Sequence, residues 1–164
     1  MKYNIELLSA DILDELAKVR RMIEEFASLS KKLDLPPRDI TPYDKAAIGY
    51  YLHCFYNGCE NIFRSIALFF ENELQVNSWH TNVLKRMKLE IRGFRPRVIS
   101  DELYLILEDF RGFRHKFRHS YSYELDWEKE RIVALKLEKA HKMLQNEVLQ
   151  FLEHLKAIDK EADE

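Results

Sequence analysis

The chain has 164 residues, of which 46% are apolar and 33% are charged, and only four are glycine and four proline. This length suits one domain with a real core, and the scarcity of turn residues excludes β-rich and Rossmann-type folds, which need glycine and proline at their turns. The net charge of −2 excludes a protein that binds polyanions over its whole surface.

The two cysteines and the absence of targeting signals indicate in which cellular compartment we expect the protein. Cys54 and Cys59 lie five residues apart in a helical pattern, about 140° around a helix, so we expect both to be free thiols. No Cys/His cluster has the spacing of metal ligands, so no metal site is expected. Without a signal peptide or an apolar run near 18 residues, the expected location is a reducing cytoplasm with no membrane contact.

Apolar residues spaced three and four apart predict the first two helices. The first runs from about residue 5 to residue 33 and ends before Pro36 and Pro37, because a residue that precedes proline is pushed out of the helical region. The second begins with Thr41 as N-cap, Pro42 at the first helical position and Asp44 three residues after the cap. Its seam contains Ile48, Leu52, Phe55, Cys59, Ile62, Ile66 and Phe69, widened by Tyr50, Tyr51 and Tyr56.

The second half of the chain predicts a long connection and two more helices. Residues 72–100 form the connection, in which Ser78 caps a short helix. Ser100 begins the next helix, which loses regularity near Ser120 and whose predicted core face is Leu103, Ile106, Phe110, Phe113 and Phe117. The last helix starts at about Trp127 and buries Leu137, His141, Leu144, Val148, Phe151, Leu155 and Ile158.

Together these elements predict one all-α domain over residues 1–164, an up-and-down four-helix bundle with one short extra helix. Residues 1–40 hold the N-terminal helix and the Pro-Pro turn, and residues 159–164 form an acidic tail that we expect to be frayed.

Positive charge is concentrated between Lys85 and Arg118, where ten Lys or Arg and five Asp or Glu leave a local excess of five positive charges. Arg111, Arg114 and Arg118 form a stripe beside the phenylalanine seam of the predicted helix that begins at Ser100. Two interpretations are open: cations collected at a helix C-terminus by the helix dipole, or a site that attracts phosphates.

Arg114 and His119 supply the groups that RNA cleavage needs without a metal. The ribose 2′-hydroxyl is the nucleophile, histidine moves protons near neutral pH, and arginine stabilises charge that develops on the phosphate. The two residues are five apart, about 140° around a straight helix. They converge on one phosphate only if the helix unwinds near Ser120 or a second subunit completes the site, so we expect a C2 homodimer.

Arg114, His119 and Tyr121 form an R-x4-H-x-Y arrangement that resembles the signature of HEPN-domain ribonucleases, and more closely that of HepT-like toxins of prokaryotic toxin–antitoxin pairs. The stretch FYNGCEN at 55–61 and the pair Trp79-His80, followed by Leu84 and Met87, are also similar to that family. The similarity covers roughly residues 43–151.

The resemblance implies a dimeric helical bundle, HEPN-like, that cuts RNA without a metal or another cofactor. It further implies a partner, a minimal nucleotidyltransferase antitoxin that transfers AMP onto the motif tyrosine. Arg114 and His119 then become the catalytic pair, and Tyr121 becomes the modification site. The alternatives are a non-catalytic module that binds a nucleotide or substrate for a nucleotidyltransferase, and a dimeric scaffold whose basic face contacts only a protein partner.

The neighbours of the motif receive supporting roles. Arg111, Lys116 and Arg118 are expected to hold the RNA backbone. His115 lies one turn before His119 and is a candidate to share its role. Glu60 either orients Arg114 or His119, or forms an ion pair between helices with no further role.

Overall fold

The computed structural model describes residues 2–71 and 79–162, and within these ranges the chain is mainly α-helical. The helices are α1 (Lys2–Ser30), α2 (Pro42–Glu71), α3 (Trp79–Met87), α4 (Asp101–His119), α5 (Trp127–Leu135) and α6 (Leu137–Ala162). Short 3-10 turns cover Lys31–Asp34, Pro37–Asp39 and Ser122–Glu124. In the described part of the chain, β pairing is limited to one bridge between Ile91 and Arg95. The prediction of an all-α fold is confirmed.

Four long helices form the bundle. α2 packs against α1 on one side and α4 on the other, and α6 packs against both α1 and α4. The predicted bundle is therefore confirmed, but two short helices, α3 and α5, accompany it where one was expected. The last predicted helix is divided at Lys136, whose N–H donates to the carbonyl of Val133, three residues back, at 3.0 Å and so tightens the turn.

The start of α2 matches the capping prediction. The N–H of Asp44 donates to Thr41 Oγ1 at 3.1 Å, and the N–H of Thr41 donates to Asp44 Oδ2 at 2.9 Å. This reciprocal pair satisfies donors that the first turn of a helix leaves open. A predicted cap at Ser78 lies outside the described residues.

Two glycines let α2 approach its neighbours closely. A Cβ atom at Gly49 would lie 2.6 Å from Phe117 Cε2 of α4, and one at Gly58 would lie 2.5 Å from Val19 Cγ2 of α1. The predicted α2 seam is buried, although Phe69 is only partly so. Of the three tyrosines expected to widen it, Tyr56 is buried, Tyr51 is partly buried and Tyr50 is 57% exposed, so the prediction for Tyr50 was wrong.

α4 begins at the predicted cap and carries a slightly different core face. Ser100 Oγ accepts a hydrogen bond from the N–H of Leu103 at 3.1 Å. Leu107 is fully buried, whereas Ile106, which was predicted for that face, is only partly buried, as is Phe117. The helix stays regular through His119, and Ser120 is extended with φ −115° and ψ 149°.

Two further predictions are confirmed, since His141 is buried in α6 and both cysteines are free thiols. Ile158, which was predicted for the same buried face of α6, is 46% exposed, so that prediction was wrong. Among the described helices, none combines the length and the apolar character that a membrane crossing requires.

Candidate functional site

The interface between α2 and α4 holds an ion pair inside the bundle. Arg114 Nη1 of α4 lies 2.8 Å from Glu60 Oε2 of α2, and the side chains are only 13% and 4% exposed, respectively. The guanidinium also lies over the ring of Tyr56, 5.6 Å from its centroid. A charged group this far from water is stable only where an opposite charge and a ring face compensate it. The fold therefore fixes the orientation of Arg114.

Tyr56 lies beneath the guanidinium of Arg114. Its side chain is fully buried, and burial raises the pKa of its phenol well above the usual range. Neither the Tyr56 hydroxyl nor Arg114 Nε has a hydrogen-bond partner among the described residues. The phenol thus stays neutral, and it supplies a ring face to the guanidinium rather than a counter-charge.

His53 and Asn57 lie on the same side of α2; His53 was not singled out from the sequence, and Asn57 was noted only as part of the stretch 55–61. Asn57 Nδ2 lies 3.0 Å from His53 Nε2, and the His53 ring packs against Phe117 at 5.8 Å between centroids. An amide nitrogen only donates, so Asn57 stabilises the ring form of His53 in which Nε2 is unprotonated. Burial first, and then the charges of Arg114 and Arg118, lower the pKa of His53. The signal in the sequence was the spacing of residues 53, 57 and 60, which share one helix face.

The opposite side of α4 is exposed and histidine-rich. The rings of His115 and His119 lie 4.9 Å apart between centroids, and both side chains are exposed. Lys116 and Arg118 are exposed as well, although Arg118, four residues after Arg114, lies on the side of Arg114, where its charge acts on His53. Arg111, by contrast, donates twice to Glu108, from Nε at 2.9 Å and from Nη2 at 2.8 Å.

One chain does not bring Arg114 and His119 together. The helix ends only after His119, so the extended conformation at Ser120 comes too late to change the angle between them. Five residues of regular helix keep the two side chains about 140° apart. Arg114 points toward α2, where it is paired with Glu60, while His119 is exposed.

Tyr121 lies just beyond the end of α4. It is 70% exposed, and its backbone N–H donates to Glu124 Oε2 at 3.2 Å. Its ring is parallel to that of Tyr123, with 2° between the planes and 5.7 Å between the centroids. The phenol is therefore accessible to another protein.

The described residues include no group of three or more His, Cys, Asp or Glu side chains arranged to hold a metal ion. The groups that the structure does offer for chemistry at this site are guanidinium, imidazole and phenol.

Comparison with known families decides the identity of the bundle. The family model for HepT-like proteins matches residues 47–155, which is more than half of the chain. The chain belongs to the HepT-like family. The matched region of this HepT-like protein runs from α2 into α6 and contains every candidate residue from His53 to Tyr121. No curated protein and no solved structure matches the chain.

Proposed function

We propose that this HepT-like protein is a metal-independent endoribonuclease and the toxin of a toxin–antitoxin pair. The observation that carries the proposal is the arrangement on α4, where Arg114 is oriented by Glu60 and Tyr56 and His119 stands exposed at the helix end. A fixed guanidinium and an accessible imidazole are the groups that phosphodiester cleavage by the 2′-hydroxyl requires.

The chemical step has two proton transfers. His119 takes the proton of the ribose 2′-hydroxyl as its oxygen attacks phosphorus, and the bond from phosphorus to the 5′ oxygen breaks. A protonated imidazole, either His119 itself or the adjacent His115, returns a proton to the leaving 5′ oxygen. Arg114 stabilises the negative charge on the phosphate oxygens. The products are a 2′,3′-cyclic phosphate and a 5′-hydroxyl.

The active form in this proposal is a C2 homodimer. Because one chain keeps Arg114 and His119 on different sides of α4, the helix ends of two copies must pack so that each guanidinium meets the imidazole of the other copy. Lys116 and Arg118, which are exposed, and Arg111, which keeps Glu108 as a partner, flank this cleft and hold the RNA backbone.

Regulation in this proposal acts through Tyr121. A nucleotidyltransferase antitoxin transfers AMP from a nucleoside triphosphate to the phenol oxygen and releases pyrophosphate. The added phosphate and base beside His119 repel RNA and occupy the place of its phosphate. The 70% exposure of Tyr121 supports this role, since the transferase must reach the hydroxyl.

The cleavage test compares the wild type with His119→Ala and Arg114→Ala on RNA in the presence of a chelator. We expect the wild type to cut and both variants to lose at least about a hundredfold in rate, as the removal of a general base or of a charge-stabilising group does. Equal cleavage by all three proteins would mean a contaminating nuclease. Products with 3′-hydroxyl ends would contradict the histidine mechanism.

The modification test is co-expression with the minimal nucleotidyltransferase that the proposal requires as antitoxin, followed by mass spectrometry. We expect one or more AMP masses on the peptide that contains Tyr121 and none on that peptide in Tyr121→Phe. Because Tyr123 stacks on Tyr121, Tyr123→Phe is the matched control and should retain the modification. Added mass only elsewhere would refute the assignment.

The burial of Arg114 favours one alternative, a non-catalytic module that binds a nucleotide for a partner nucleotidyltransferase. A guanidinium that is 13% exposed and paired with Glu60 suits a structural or holding role as well as a catalytic one. Submicromolar nucleotide binding, combined with RNA that stays intact in the assay above, would establish this alternative.

A further inference from the structure

The connection between α3 and α4 forms a tight, basic turn that the proposed active site does not use. The N–H of Ile91 donates to the carbonyl of Arg95 at 2.9 Å, and the N–H groups of Phe94 and Arg95 donate to the carbonyl of Ile91, both at 2.9 Å. Gly93 has φ 72°, a conformation that glycine adopts without strain. We call residues 85–97, which include the last turn of α3, the basic turn. Its tip presents Arg92 and Phe94.

The turn is fixed to the bundle. The side chain of Arg95 is buried, and its Nη2 donates to the carbonyl of Arg86 at 3.0 Å, while Nη1 donates to that of Pro96 at 3.1 Å. The ring of Phe94 lies 6.1 Å from that of Phe70 at the end of α2. The tip is therefore held in place before any partner arrives.

The exposed surface of the turn combines apolar and positive groups. Phe94 is 55% exposed, Leu89 46% and Ile91 37%. The exposed charged side chains of the turn are four cations and one acid, namely Lys85, Arg86, Arg92, Arg97 and Glu90. Lys88 is only partly exposed and lies 3.8 Å from Asp101, and Arg86 has an interaction within the chain, so neither is assigned to the RNA.

Two arginines of α4 are paired with carboxylates of the chain. Arg111 is held by Glu108 and Arg114 by Glu60, so part of the positive charge of α4 is neutralised within the chain. In the basic turn, Arg92 and Arg97 are exposed and lie two and three residues from the half-exposed Phe94. Proteins that bind single-stranded nucleic acid combine two elements: cations that contact the phosphate backbone, and an aromatic face on which a base stacks.

We infer that the basic turn is a docking surface for single-stranded RNA, with a base stacked on Phe94 and phosphates held by Arg92 and Arg97. This inference rests on the proposed function, which makes RNA the substrate. The turn precedes the N-terminal end of α4, and Arg114 lies 13 residue steps beyond Asp101, about 20 Å along the helix. At about 3.4 Å per stacked nucleotide, roughly six nucleotides separate the turn from Arg114 along the strand.

The test is the affinity of a fluorescent 12-nucleotide single-stranded RNA for the full chain carrying His119→Ala, which prevents cleavage during the measurement. We expect Phe94→Ala, and separately the pair Arg92→Ala and Arg97→Ala, to weaken binding about tenfold. The arginine pair should also lower the slope of log affinity against log salt by about 0.7 for each phosphate that is no longer neutralised. Lys31→Ala, which removes an exposed cation far along the chain, is the matched control.

Phe94→Leu guards against a folding artefact, because leucine keeps an apolar side chain against Phe70 but offers no ring for a base. If Phe94→Leu binds the RNA as weakly as Phe94→Ala does, the result supports stacking of a base on the Phe94 ring. Wild-type affinity in Phe94→Leu and in the arginine pair overturns the inference. Unchanged RNA affinity with weakened binding to the nucleotidyltransferase would assign the surface to a protein partner and overturn it as well.

A cleavage assay separates this inference from the proposed function. With His119 intact, the ratio of kcat/KM for the 12-nucleotide RNA to that for a dinucleotide should fall about tenfold in Phe94→Leu, because a dinucleotide cannot reach the turn. No cleavage of either substrate, with RNA binding still weakened in the turn variants, sinks the proposed function and leaves the docking surface standing. If RNA is cleaved but neither the kcat/KM ratio nor the RNA affinity changes in the turn variants, the proposed function stands and the docking surface is refuted.

Discussion

The two ends of the motif at residues 114–121 lie in different environments. On the side that faces α2, Arg114 is 13% exposed and tied to Glu60 and Tyr56. At the other end, His119 and Tyr121 are exposed, the tyrosine by 70%. Half of the candidate site is thus built by the fold of one chain, and the other half is left open to partners. The difference teaches that one end of the motif is part of the packed bundle and the other end is exposed, so substitutions at its two ends should have different consequences.

The largest expected contrast is in stability. Arg114→Ala removes the guanidinium from the buried Glu60 carboxylate and should lower the free energy of unfolding by about 3 to 5 kcal/mol. His119→Ala, on an exposed face, should change it by no more than about 0.5 kcal/mol. Urea denaturation of the two variants measures both values.

The double variant Glu60→Gln with Arg114→Met is the control for this contrast. It removes both charges at similar volume, so it should recover most of the stability while the RNA-cleaving activity stays absent. If Arg114→Ala were as stable as His119→Ala, the buried pair would not be a structural element and the comparison would fail.

Glu130 of α5 is a second buried carboxyl and provides a comparison with Glu60. Glu60 is paired with a guanidinium, whereas the cation that acts on Glu130 is Lys45. Burial raises the pKa of Glu130 to about 8, against the opposing effect of Lys45. The folded state then holds this proton more tightly than the unfolded state, whose pKa is near 4.5. The contribution of Glu130 to stability is complete below pH 4.5 and is lost as the pH rises to about 8.

The decrease should reach up to about 1.4 kcal/mol per pH unit in that window. Unfolding measured at several pH values should show this slope in the wild type and a smaller one in Glu130→Gln, which stays neutral. An identical slope in both proteins would show that Glu130 ionises normally.

A smaller effect is expected at His53, on the inner side of the site. Burial and the charges of Arg114 and Arg118 lower its pKa, so Arg118→Ala should raise the pKa of His53 by a fraction of a unit. Lys116→Ala removes a charge from an adjacent exposed position and should have less effect. NMR titration of the His53 ring protons checks this, and an equal response to both substitutions would contradict the placement of His53 beside Arg118.

The smallest effect is expected at the open end. Tyr121→Phe should leave the free energy of unfolding within about 0.5 kcal/mol of the wild type, because the hydroxyl has no structural role on an exposed ring. Thermal unfolding measures it. A decrease above about 1.5 kcal/mol would mean that Tyr121 holds the end of α4 in place and is not free for modification.

Local signals in the sequence were sufficient for most of the fold. The caps at Thr41 and Ser100 and the seam of α2 follow from residues close together in the chain, and the structure confirms them. The burial of Leu107 in place of Ile106 depends on how far α4 rotates against its neighbours, which spacing alone does not fix. The interruption at Lys136 has no proline or glycine to announce it.

The candidate site was less accessible to sequence reasoning. The motif at residues 114–121 was visible as a pattern, and Glu60 was already weighed as a partner of Arg114. That these two form an ion pair at 2.8 Å, with Tyr56 beneath and His53 nearby, depends on the register of α2 against α4, helices that lie far apart along the chain. Pairings of that kind are set by tertiary packing and leave little trace in local periodicity.

Subunit complementation tests the central claim most directly. Arg114→Lys and His119→Ala chains, each inactive alone, are mixed, dissociated and allowed to re-form dimers. If each site takes Arg114 from one copy and His119 from the other, half of the dimers are mixed and each has one intact site, so about a quarter of the wild-type RNA-cleaving rate should return. No recovery in dimers shown to be mixed, while the wild type cleaves RNA, would contradict the account.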